Sequence, residues 1–242
     1  MFRRARQNRI YEDVVEQIQT AILEGNIPEG ERLPSERELC DQLQTSRGTL
    51  REALRILEQK GLVDIRLGAS GGAYVKGTNN ELMAENLAML LKSNVVTLEH
   101  LEEFRENLEG SAAFLAAKRV TADGKRELAA LLDKAKKLNA QGLGKWDEFV
   151  RVDEQVHVSI ARASANPLYN FVLSSIHANI HQFYNTFLSV TQLEMDENYA
   201  DLAAVVQAIC NGEAQEAEEK LRQHVHRFAG YMRAKNAVLQ SS

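Results

Sequence analysis

Residues 34–77, PSERELCDQLQTSRGTLREALRILEQKGLVDIRLGASGGAYVKG, set two short helical patterns around a tight turn and follow them with two strand-like segments and a glycine-rich tip. Few folds accept that order. Ser35 follows Pro34 and precedes a helical repeat carrying Leu39 and Leu43, and Glu38, three residues on, completes a capping box. Gln44 and Thr45 make the turn. Ser46 is placed to cap the next helix, whose inner stripe is Leu50, Leu54 and Leu57 and whose stop is Gly61. LVDIRL and AYVKG read as strands joined by GASGG, which suits a hairpin with positive φ angles. Upstream, Ile10, Val14, Ile18 and Ile22 share one face of a helix that ends at Gly25, and NIPEGERL reads as an extended turn. The whole predicts a winged helix-turn-helix.

Such a motif places its second helix in a DNA major groove with the wing alongside. That helix presents Arg47, Thr49 and Arg51 in its first turns, with the two arginines four apart on one face and the leucines opposite. A guanidinium pairs bidentately with guanine O6 and N7, and a helix N-terminus favours phosphate. Arg37 is placed for a phosphate, and Gly48, Gly71 and Gly72 let backbone approach the duplex closely. Arg3, Arg4, Arg6 and Arg9 form a basic arm. Bulk charge does not announce a nucleic acid partner, because the net charge is −5 and residues 1–76 carry 12 Lys/Arg against 12 Asp/Glu. The expectation rests on where the arginines point; its plain alternative is a solvated helix face.

Beyond a boundary near residue 78 the pattern is helical throughout. The spacing predicts helices near 80–92, 97–119, 121–140, 145–164, 168–190, 195–211 and 213–237, with Asn166-Pro167 as a sharp break. The expected organisation is mainly α: a DNA-binding domain over 1–77 and an all-helical antiparallel bundle over 78–242. No apolar run approaches the ~18 residues of a membrane span, and the basic start lacks an apolar signal core. Cys40 and Cys210 have no metal-type spacing and read as reduced thiols, so a cytoplasmic location is expected.

Four polar side chains interrupt apolar stripes of the helical region. Asp153 and His157 lie in the stripe of Trp146, Phe149, Val150, Val156 and Ile160. His224 lies in that of Ala217, Leu221, Phe228 and Tyr231, whereas His226 falls on the polar face. Arg105 interrupts Leu98, Leu101, Leu108, Ala112 and Leu115. An unpartnered buried carboxylate costs several kcal/mol, so compensation is required. Asp153, His157 and His224 converging on a divalent metal (Zn, Ni, Mn or Fe) would supply it; so would an Asp–His hydrogen-bonded pair in the core. Arg105 suits the carboxylate of a small organic acid, or an internal ion pair with Glu109 or Asp153.

LPSERELCDQLQTSRGTLREALRILEQKGLV resembles the DNA-binding domain of the GntR family of bacterial transcription regulators, over residues 10–77. The resemblance implies operator contacts by Arg37, Arg47 and Arg51, assisted by Ser46, Thr49 and the wing glycines. The helical remainder resembles the ligand-binding FCD domain of the FadR-like subgroup. Metal-binding FCD domains use an aspartate and three histidines; Asp153, His157 and His224 match three, and Leu202 stands where the other histidine belongs. His177 and His181, four apart on a neighbouring helix, are candidate substitutes or pocket-lining groups. The expected function is that of a homodimeric, ligand-responsive repressor that binds operator DNA and is modulated by an organic acid, and not an enzyme. An architectural DNA-binding protein and a helical-bundle metalloenzyme are the alternatives.

Overall fold

The computed structural model describes the backbone of residues 9–68, 71–76, 80–93, 95–187 and 190–240, with side chains omitted at 9, 80–82, 181–187, 232 and 234–240. Arg3, Arg4, Arg6, the Arg9 side chain and the His181 side chain therefore lie outside the described residues. The chain divides into two compact units, residues 1–85 and 86–242.

The first unit contains α1 (Arg9–Leu23), α2 (Glu36–Leu43), α3 (Arg47–Gln59) and the strands β1 (Val63–Arg66) and β2 (Gly72–Val75). The Ser35 hydroxyl accepts from the Glu38 N–H while the Glu38 carboxylate accepts from the Ser35 N–H, so two orphan donors at the start of α2 are satisfied reciprocally. Gln44 ends α2 in the left-handed conformation, which turns the chain within two residues of the next cap. Ser46 caps α3 by accepting from the Thr49 N–H, and the two hydroxyls lie 2.9 Å apart. β1 and β2 pair antiparallel with Val63 opposite Val75 and Arg66 opposite Gly72. A single core built on Val14, Ile18, Leu39, Leu50, Leu57 and Val63 joins these elements.

Two details differ from expectation. Ile10 is exposed, and Val15 is buried beside Val14 and Ile18, so the inner face of α1 is rotated away from Ile10. The extended turn before α2 also pairs with the wing: Arg32 bridges Tyr74, and Leu33 N–H donates to the Ala73 carbonyl at 2.8 Å. That segment contributes a third short edge to the hairpin.

From α4 (Asn80–Lys92) onward the elements are α5 (Leu98–Arg119), α6 (Ala122–Asn139), a 3-10 turn at Leu143–Lys145, α7 (Trp146–Ala163), α8 (Pro167–Phe187), α9 (Gln192–Asn211) and α10 (Ala214–Gln240). Thr97, Thr121 and Thr191 cap three of them through hydroxyls that accept an N–H three residues on. In the second unit α5 packs along α10 and α7, and α6 against α7 and α9. The core that results contains Phe149, Val156, Ile160, Leu202, Val205 and Leu221. No described helix is long and apolar enough to cross a membrane.

Candidate functional site

Each unit carries a candidate site, and the two are built from opposite materials. In the first, Arg37, Arg47 and Arg51 are exposed, and α3 buries Leu50, Leu54 and Leu57 on its other side. The cap fixes Ser46 and Thr49 to each other at the start of the same helix. A groove of about 550 Å³ runs beside Ser35, Glu36 and Arg51 to the wing, where Arg66, Gly71 and Gly72 form its other wall. Arg32 and Arg55 also border it. With Arg66 they add three cations to the groove beyond those in the first turns of α3. Arg66 lies over the Tyr74 ring at 4.2 Å and pairs with Asp64.

The wing glycines have a reason internal to the fold. A Cβ at Gly71 would stand 2.5 Å from the Arg66 carbonyl oxygen, and backbone at that distance cannot yield. Gly72 adopts φ +145°, and a Cβ there would meet the Arg32 Nε at 2.6 Å. Gly48, by contrast, has only the Ser46 hydroxyl within 4 Å, leaving the start of α3 open.

In the second unit, α7 presents Asp153 and His157 one turn apart and α10 presents His224, all buried. His157 Nε2 and His224 Nε2 are 3.1 Å apart, and Asp153 carboxylate oxygens stand 3.6 Å and 3.5 Å from them. Asp153 Oδ1 is buried without a hydrogen bond. On the other side of the imidazole, His157 Nδ1 donates to Glu109 of α5, and Glu109 also accepts from Arg105 Nε at 2.7 Å. His177 of α8 brings its Nε2 to 3.3 Å from the same carboxylate, with its ring 4.8 Å from that of His157.

Electrostatics order this cluster. Burial pushes the Glu109 carboxyl up, but Arg105, His157 and His177 together hold it well below the usual range. Asp153 is likewise lowered against burial, chiefly by His157. His157 is raised despite burial, because Glu109 and Asp153 flank it. Burial takes His177 down to about 4, so it is neutral at ordinary pH, and burial beside Asp153 lifts the neighbouring Glu154 to about 7.

Two overlapping groups of donors could therefore hold a cation: Asp153, His157 and His224, or Glu109, His157 and His177. They share one imidazole. The Arg105 charge already occupies Glu109 and opposes a cation there, whereas the ion pairs of Asp153 are with His157 and His224. The first group also fits better geometrically. Two imidazoles on a tetrahedral zinc, each at ~2.0–2.1 Å, stand roughly 3.3 Å apart, close to the separation of the two Nε2 atoms. With its Nδ1 bonded to Glu109, His157 turns its Nε2 toward His224 and Asp153, the arrangement by which carboxylates orient metal-ligating histidines. Leu202 is buried in the apolar core and offers no ligand.

Each unit, the helix-turn-helix with exposed arginines and the bundle enclosing histidines and a carboxylate, has counterparts among known proteins. Residues 10–75 match the family model of bacterial regulatory proteins of the gntR family, and residues 100–227 match that of the FCD domain. The chain is 30% identical over 228 residues to the HTH-type transcriptional repressor NanR of Escherichia coli, spanning 91% of this chain and 83% of that one. It is 28% identical over 235 residues to the NanR of Klebsiella aerogenes, spanning 94% and 87%. The chain belongs to the GntR family. Its fold is shared by a Streptococcus agalactiae GntR structure, with a TM-score of 0.69 at 24% identity over 90% of this chain and 98% of that one. As a GntR-family protein with an FCD domain it is a ligand-responsive, DNA-binding transcription regulator.

The structure brings the sequence candidates Asp153, His157 and His224 together, whereas His226, on the polar face, is exposed and bonded to Glu106 at 2.8 Å. Glu109, four residues after Arg105 on the same helix, joins the cluster through His157 as well. Arg105 is buried and bound to Glu109, the internal ion pair that was one of its two readings.

Proposed function

We propose that this GntR-family chain is a homodimeric repressor whose hold on operator DNA is relaxed when a small organic acid binds beside a divalent metal in the helical unit. The observation that carries this reading is the buried convergence of Asp153, His157 and His224, backed by Glu109 and Arg105, in a chain whose other unit exposes arginines on a recognition helix. The relatives named above as repressors support the direction of regulation. Functionally, the division falls at the junction of residues 77 and 78, between the wing and α4.

Asp153, His157 and His224 would hold the metal, which as a Lewis acid would offer open positions to carboxylate oxygens. Glu109 fixes the tautomer and orientation of His157. Arg105 holds Glu109 in place and ionised, so the charge that receives the acid would come chiefly from the metal site. Exposed Arg37, Arg47 and Arg51, with Ser46, Thr49 and the wing backbone at Gly71 and Gly72, would contact the duplex, two heads reading the halves of a pseudo-palindrome.

The test is calorimetry of small hydroxy- and dicarboxylic acids against zinc-loaded and chelated full-length protein. Binding that requires the metal, is lost in His224→Ala and survives, weakened, in Arg105→Ala supports the scheme. An acid that binds equally well after chelation overturns it.

A further inference from the structure

Arg51 is not a free side chain on the recognition helix. Its Nε donates to both carboxylate oxygens of Glu36, at 3.0 Å and 3.3 Å, across the turn between α2 and α3. The two side chains are 64% and 41% exposed, and a pair so solvated contributes little to the stability of a fold. Glu36 takes no part in the cap either, because that role belongs to Glu38. A carboxylate in a groove bordered by Arg32, Arg51, Arg55 and Arg66 also weakens the attraction of that groove for a polyanion. Its presence there calls for another reason.

A guanidinium can bind through its side edge, Nε with one Nη, or through its end, Nη1 with Nη2. Glu36 takes the Nε hydrogen of that side edge, so the guanidinium is aimed by a second anchor and its end fork points away from the bound carboxylate. The end fork can pair with guanine O6 and N7 together. A lone arginine on a solvated helix would instead sample many directions and reach phosphates as readily as bases, and phosphate contacts carry no sequence information.

We propose that Glu36 is a positioning residue for sequence reading: it holds Arg51 by its Nε so that the fork addresses a guanine, trading bulk affinity for discrimination. This rests on the reading of Arg51 as a base-contacting residue.

The test uses full-length protein, at one fixed salt concentration, to select binding sites from a random duplex library. The wild type, Glu36→Ala, Glu36→Gln and Arg51→Lys are compared by site preference and by affinity for the selected and a scrambled duplex. Glu36→Ala is expected to bind the scrambled duplex more tightly. Its ratio of selected to scrambled affinity should fall by roughly fivefold or more, the lower end of what one bidentate arginine–guanine contact discriminates. Glu36→Gln, which keeps an acceptor and loses the charge, should fall between it and the wild type. Preference should relax at the base pair that Arg51→Lys also relaxes, with unchanged thermal stability. A merely structural role would shift stability, or both affinities together, and leave the ratio alone. An unchanged ratio and site preference in Glu36→Ala overturns the inference while leaving DNA binding intact. A wild type that selects no site overturns the DNA reading itself, and this inference with it.

Discussion

The two units of this molecule keep their working charges in opposite places. The first leaves Arg37, Arg47 and Arg51 in solvent, over a core whose buried members are apolar. The second encloses Arg105, Glu109, Asp153, His157, His177 and His224 among four helices. An exposed cation costs the fold little, whether it stands in solvent or, like Arg51, beside an exposed carboxylate. A buried one must be matched inside the protein, and each group depends on the others being present. The comparison teaches that a substitution in the first site should change what the protein binds, whereas one in the second should change whether the unit folds, unless the charges are removed in balance.

The sharpest way to break that contrast is to remove Glu109. Glu109→Ala leaves Arg105 and His157 buried against each other, and stability should drop by about 3–5 kcal/mol in chemical denaturation. Glu36→Ala, breaking an exposed pair, should cost less than about 1 kcal/mol. Equal losses would erase the distinction. Metal comes next. Zinc at about a hundredfold excess over its dissociation constant should raise Tm by roughly 5–10 °C in a chain of this size. His224→Ala should abolish the shift, and scanning calorimetry with and without a chelator reads it. Arg51→Ala should weaken operator binding by about 1–3 kcal/mol at fixed salt, with Tm unchanged.

The smallest effect is one of pH, and two buried groups oppose each other in it. His177, with its folded value near 4 and an ordinary value of 6.5, stays neutral where the unfolded chain takes up a proton. Its contribution therefore grows as pH rises from about 4 to 6.5. Glu154 is raised to about 7 from 4.5, so the fold favours its protonated form. That stability is complete below the unfolded value and is lost as pH rises through the folded one. Glu154→Gln removes the falling limb, and the variant should gain Tm relative to the wild type between pH 5 and pH 7.5. A constant difference across that range would contradict the assignment.

How far the sequence could be read follows the same division. The first site was legible because its determinants are local: a cap at Ser35, a turn at Gln44 and two arginines four apart fall within seventeen residues. What escaped there was non-local. Glu36 lies fifteen residues from Arg51, and the Arg32 segment joins the wing through Tyr74. The helices of the second unit and its inward polar groups were readable from periodicity. Which polar groups meet was not, because Glu109, His157, His177 and His224 come from four helices whose packing no single period encodes. Ile10 shows the limit within one helix: its spacing matched Val14 and Ile18, yet it is exposed while Val15 joins the buried face.

The claim at the centre of this account is that the enclosed cluster governs the grip of the exposed arginines. It is tested most directly by fluorescence anisotropy of a labelled, selected duplex with zinc-loaded full-length protein, with and without an acid found to bind, in the wild type and in Asp153→Asn. The acid should weaken wild-type binding by about 5–150-fold, the range of ordinary coupling between two sites, and leave the Asp153→Asn complex unmoved. A ligand effect of the same size in both proteins, or none in the wild type, would contradict the account.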